Sequence, residues 1–202
     1  MEDKYAVFED LANPHNWLLV ADELHNQALT IYKHKGKKII TRLDKNGDIE
    51  DTKDFINRPM FLLSGFALEN ILKAFLIYEN PCWVSNGKLD KKLQSHSLTQ
   101  LYERSEKIPN DDLSKRVLTA FEDGLNSWAR YPCALSIERE RTEKKLNEEL
   151  WQDYLLLMDI WGRTICSLLT IGWVGPHKFD GHFKFDNEVF TFIRPEPFVT
   201  SS

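Results

Sequence analysis

Six residues combine side chains suited to chemistry with positions that can bring them together: Glu69, Lys73, His96, Trp128, Arg130 and Tyr131. Glu69 and Lys73 are four apart in a strongly apolar stretch, so a helix there puts them on one face and in reach of each other. On a helix that is otherwise buried, such charges must pair or face a groove. His96 sits just before a predicted helix start, where backbone N–H groups favour an anion. Arg130 can grip a phosphate through two parallel hydrogen bonds, and Trp128 and Tyr131 offer flat faces for a base. The same charges also suit an internal role. A Glu69–Lys73 or Glu69–Arg130 tie would hold three helices in register, because buried charges are usually paired.

Other chemistries find less support. The sequence holds no GxSxG elbow, HExxH helix, Walker loop or GxGxxG turn. Asp44-Lys45-Asn46-Gly47-Asp48 resembles the opening of a calcium loop, yet Ile49 and Phe55 stand where that loop needs Gly and a bidentate Glu. It reads as an exposed turn. His177 and His182 flank Asp180 without a third and fourth ligand at a defined spacing. Cys82, Cys133 and Cys166 are odd in number and form no CxxC pair, which argues against a disulfide framework or thiolate zinc site. No metal or cofactor is implied, and a reducing cytoplasm is the expected compartment.

The elements that must position these residues are helices. Asn13-Pro14 caps a first helix, with Trp17, Leu18, Ala21, Leu24, Ala28 and Ile31 at helical spacing to about Lys33. Residues 34–54 turn polar; Lys38 to Leu43 suits a short strand before the turn at Lys45–Asp48, and the stretch reads as a loop that can close into a hairpin. A second helix begins at Asn57–Pro59 and runs to about Tyr78, before Pro81. It is apolar almost all round, which puts it at the centre of a bundle. A short helix covers about Ser97 to Lys107. Asn110-Asp111 caps another, whose stripe is Leu113, Val117, Leu118, Phe121, Leu125 and Trp128. A charged segment from Glu138 to Glu149 leads into a last helix that Gly172 ends. The tail carries Phe183-Lys184-Phe185 and Val189 to Phe192 around Asp186-Asn187, a candidate hairpin.

Two hundred and two residues suit one domain able to bury a full core, here 13–172 with an extension at 173–202. Hydrophobic residues make up 42% and charged ones 28%, which excludes a disordered or collagen-like chain. A net charge of −5 argues against a blanket basic surface for duplex DNA, though not against a local basic groove. The start of the chain shows no secretory signal, and Glu69, Asn70 and Lys73 interrupt the most apolar stretch, so no membrane partner is expected. The expected fold is all-α, a bundle of four to five helices with a small irregular or hairpin tail.

Three pieces in this order carry a family resemblance: Gly65-Phe66-Ala67-Leu68-Glu69-Asn70-Ile71-Leu72-Lys73-Ala74, then Ser95-His96-Ser97-Leu98, then Trp128-Ala129-Arg130-Tyr131-Pro132. Together they resemble the HEPN family of small helical bundles, over roughly residues 57 to 132. The resemblance implies a homodimer, a nucleotide or single-stranded RNA as ligand, and a setting in prokaryotic defence or a toxin–antitoxin pair. It also raises metal-independent ribonuclease activity. That branch carries Arg, four to six residues, then His. Neither Arg163 nor Arg58, Arg104, Arg116, Arg130, Arg139, Arg141 or Arg194 has a His in that window. The expectation is therefore a non-catalytic binding domain using Glu69, Lys73, His96, Trp128, Arg130 and Tyr131. Two alternatives stay open: a ribonuclease in which His96 and Arg130 converge without the linear motif, and a bundle that serves only to bind a partner protein.

Overall fold

The computed structural model describes residues 4–133, 136–139, 142–176 and 180–181. The chain is mainly helical: α1 (Lys4–Ala12), α2 (Pro14–Tyr32), α3 (Asn57–Glu79), α4 (Leu98–Glu103), α5 (Asp112–Asn126) and α6 (Glu148–Thr170). Two small antiparallel pairs accompany them: β1 (Ile39–Leu43) with β2 (Ile49–Asp54), and β3 (Trp173–Val174) with β4 (Asp180–Gly181). The expectation of four or five helices is corrected to six among the described residues, and the all-α reading holds only broadly beside the small antiparallel pairs. α1 is an additional helix, and the stretch after α2 closes into a hairpin.

Several helix starts follow a local rule. Asn13, Asp111 and Asn147 have side chains that accept from the backbone N–H three residues on, and Pro14 takes the first helical position of α2. The β1–β2 turn is closed by Asp44, whose Oδ1 accepts from the N–H groups of Asn46 and Asp48. The segment is the exposed turn read from the sequence, and the Asp44 carboxylate organises it. His177, Asp180 and His182, and the candidate hairpin within 183–192, lie outside the described residues, apart from the backbone of Asp180.

α3 is the centre. Its long apolar run is mostly buried within the bundle, with Phe61, Ala67, Leu68, Ile71, Leu72, Phe75 and Leu76 excluded from solvent. α2, α4, α5 and α6 all pack on it. The crossing of α3 and α5 is close because glycines face it: a Cβ on Gly65 would meet Leu125 Cγ at 2.7 Å, and one on Gly124 would meet Phe61 Cδ1 at 3.0 Å. α6 is tied to α2 by His25 Nδ1 against the Tyr154 hydroxyl at 2.8 Å, and by Tyr32 stacked on Trp151 at 4.4 Å. Burial pushes the Tyr154 phenol far above its ordinary range, so it stays protonated. These ties leave α3 free to present one polar face.

Candidate functional site

That face is built by helical spacing. Phe66, Glu69, Asn70 and Lys73 recur at three- and four-residue steps, so they share one side of α3. Lys73 Nζ donates to Glu69 Oε1 at 2.7 Å, with each side chain only 7% exposed. The Lys73 ammonium also lies over the Trp17 ring of α2, 5.3 Å from its centroid. Trp17 is itself fixed by its indole N–H donating to the Ala12 carbonyl.

The Glu69 carboxylate holds a second group. His96 Nδ1 lies 3.0 Å from Oε1 and 3.2 Å from Oε2, while the imidazole remains 62% exposed. A carboxylate at Nδ1 fixes the ring orientation and favours the tautomer with the proton on Nδ1. Nε2 then presents a lone pair outward, and it makes no hydrogen bond among the described residues.

The segment carrying His96 is pinned from α5. Glu122 Oε1 accepts from the Ser97 hydroxyl at 2.8 Å, and Oε2 accepts from the Thr99 N–H and hydroxyl at 2.8 and 2.9 Å. Ser97 Oγ in turn accepts from the Gln100 N–H. The expectation that free N–H groups at this helix start would attract an anion is therefore corrected. Those donors already serve Ser97 and Glu122, so anion recognition on this face falls to side chains.

After α5 the chain folds back, with the Ala129 N–H on the Gly124 carbonyl. This sets Arg130 over Phe66, its guanidinium carbon 5.5 Å from the ring centroid. Arg130 is exposed and makes no hydrogen bond or ion pair among the described residues. Phe66 lies about one turn before Glu69 on α3, so Arg130 and His96 flank the same strip of surface. Glu69 thus pairs with Lys73 and His96, and the alternative Glu69–Arg130 tie does not form.

Two of the six expected residues stand elsewhere. Trp128 is 2% exposed, packed edge-on against Phe61 at 4.6 Å, and fills the core instead of offering a face to a base. Tyr131 is exposed, but its carbonyl accepts from Arg58 NH1 at 3.2 Å, one step toward the start of α3 from Arg130. Sequence reasoning missed Trp17, Phe66 and Glu122. Phe66 was findable, since an aromatic three residues before Glu69 must share its side of the helix. Glu122 carries no such signal, because its partners lie twenty-five and twenty-three residues away.

No family model matches this chain, and neither a curated protein nor a solved structure matches it significantly.

Proposed function

We propose that this chain is an HEPN-like, non-catalytic domain that binds a phosphate-bearing ligand, a nucleotide or single-stranded RNA, on the α3 face between His96 and Arg130. The observation that carries the reading is a pair of exposed side chains fixed from beneath, an imidazole and a guanidinium. Glu69 orients His96 and Phe66 seats Arg130, so Arg130 can donate to phosphate oxygens while the His96 Nε2 lone pair accepts from a ribose hydroxyl or base N–H. A guanidinium stacked on an aromatic ring loses little freedom when it takes a bidentate oxyanion. Asn70, half-buried on the same face, donates from its amide to the Phe66 carbonyl at 2.7 Å and keeps its side-chain oxygen for a sugar or base. Trp128 and Tyr131 are left out of the site. The resemblance to HEPN proteins, a homodimeric state, a cytoplasmic location and a role in prokaryotic defence or a toxin–antitoxin pair belong to this same reading.

The test is fluorescence anisotropy with labelled oligo(U) and with labelled ATP, on wild type, Arg130→Ala and His96→Ala. Both side chains are exposed, so both variants are expected to fold. Saturable binding that falls at least about tenfold in Arg130→Ala supports the reading. Equal affinity in all three proteins, or no binding by any, overturns it.

One observation favours a catalytic second reading. A carboxylate on Nδ1 with Nε2 outward is the arrangement that makes an imidazole a general base, and Arg130 would stabilise the charge that develops on phosphate. RNA cleavage in excess EDTA, abolished by His96→Ala, would establish that reading; intact RNA with wild type would remove it.

A further inference from the structure

We infer that the pocket beneath the β1–β2 hairpin is a second binding site, for a small amphipathic molecule with an apolar body and one carboxylate. The pocket has a volume of about 530 Å³ and lies between the hairpin, the end of α2, the start of α3 and the 142–146 segment. Cavities of roughly 300–1,000 Å³ take drug-sized ligands. Met60, on its wall, is nine residues before Glu69, about 14 Å along α3, so this site is separate from the His96–Arg130 face.

The floor is apolar. Ile56, Met60 and Leu146 are buried core residues that reach the pocket from within. Tyr32 and Ile39 close its sides, and Ile39 remains 50% exposed on the strand. An exposed isoleucine on a short hairpin gains by being covered.

The rim charges balance in number, so the group left without a partner decides which ligand charge is met. Three carboxylates and three amines line the pocket, and the carboxylates are satisfied internally. Asp54 accepts from the N–H groups of Gly36 at 2.7 Å and Ile56 at 3.2 Å. Glu143 accepts from Arg58, Asn57 and Lys53, and Asp51 from the Thr52 N–H with Lys53 at 3.7 Å. Lys53 is thereby used as well. Lys35 is engaged by the Tyr32 hydroxyl at 3.3 Å and by Glu148 at 3.9 Å, whereas Lys145 makes no ion pair or hydrogen bond among the described residues. Among the described residues the Lys145 ammonium is thus the one charge at the rim without a partner, and above a water-excluding floor it can meet the anionic head of a molecule with an apolar tail.

The test is fluorescence titration with 8-anilinonaphthalene-1-sulfonate, an aromatic body with one anionic group, followed by displacement with decanoate. The variants are Ile39→Glu and Lys145→Glu, both at exposed positions, with Ile171→Glu as a distant control at another exposed residue. One-to-one binding displaced by decanoate, weakened at least about tenfold in both pocket variants and unchanged in the control, is the expected result. Unsaturable binding, failure of decanoate to compete, or unchanged affinity in either pocket variant would overturn the inference. None of these readouts depends on RNA or nucleotide binding, so the two sites stand or fall separately.

Discussion

Arg58, in the first turn of α3, grips Glu143 through Nε at 3.2 Å and NH2 at 3.0 Å, across eighty-five residues of sequence. The same guanidinium donates from NH1 to the Tyr131 carbonyl, so one side chain joins the hairpin pocket to the corner that carries Arg130. Asn57 completes the junction, donating to Glu143 Oε1 and the Lys144 carbonyl and accepting from the Leu146 N–H. Hairpin pocket and Arg130 corner therefore share one anchor.

This anchor should respond to acid. Burial opposes ionisation of Glu143, but Arg58, Asn57 and Lys53 outweigh it and hold the carboxyl below its ordinary value of 4.5. A carboxylate whose folded pKa is depressed contributes stability above its unfolded pKa and loses it as pH falls through the folded one. Wild type should therefore exceed Glu143→Gln in Tm by a constant margin above pH 4.5, and the margin should close at lower pH. Thermal melts from about pH 7 to 3 measure this, and a margin independent of pH would contradict it.

The Glu69–Lys73 pair makes a sharper energetic prediction. Removing Glu69 leaves the Lys73 ammonium buried without its counter-charge, and breaking a buried pair costs about 3–5 kcal/mol. Replacing both partners by well-packed apolar residues is commonly near neutral. Urea denaturation of Glu69→Leu should show the large loss, and Glu69→Leu with Lys73→Met should recover most of it. A single variant costing under about 1 kcal/mol would mean that Lys73 finds water or another acceptor.

Gly65 tests the α3–α5 crossing. A methyl there would stand 2.7, 2.8 and 3.0 Å from Leu125 Cγ, Cδ1 and Cδ2. Overpacking costs about 1–3 kcal/mol, against about 1 kcal/mol gained from better helix propensity, so Gly65→Ala should be net destabilising. Leu125→Ala opens space that the new methyl partly fills. A double-mutant cycle should then show the pair losing less than the sum of its members, and strict additivity would place the clash elsewhere.

How much of this was legible follows from the range of each interaction. The caps at Asn13 and Asp111 and the 57–79 helix rest on rules spanning a few residues, and they stand within a residue or two of the expected places. β1 shows in Ile39-Ile40-Thr41, but its partner Ile49-Glu50-Asp51-Thr52-Lys53-Asp54 is too polar to read as a strand, being mostly exposed. α1 escaped notice because its stripe is short and it buries Glu9. Glu69 with Lys73 follows from their spacing, whereas Glu69 with His96 spans twenty-seven residues and needs the fold. Trp128 was misplaced by its neighbours: Arg130 and Tyr131 suggested a surface, while its spacing from Phe121 and Leu125 already pointed to the core.

The cysteines give a last, inexpensive check on the packing of α6. Cys82 and Cys133 are exposed, while Cys166 is buried. Burial, with the Asp22 carboxylate adding to it, pushes the Cys166 thiol up to about 12. A thiol reacts as thiolate, so at about pH 8 Cys166 is both shielded and almost wholly protonated. Native protein treated with 5,5′-dithiobis(2-nitrobenzoate) should release colour from two thiols quickly, and the third should react only as urea unfolds the chain. The midpoint for the third thiol should coincide with that of tryptophan fluorescence, because Trp161 is buried in the same helix. Three thiols reacting together in native buffer would show that α6 opens at Cys166 without global unfolding.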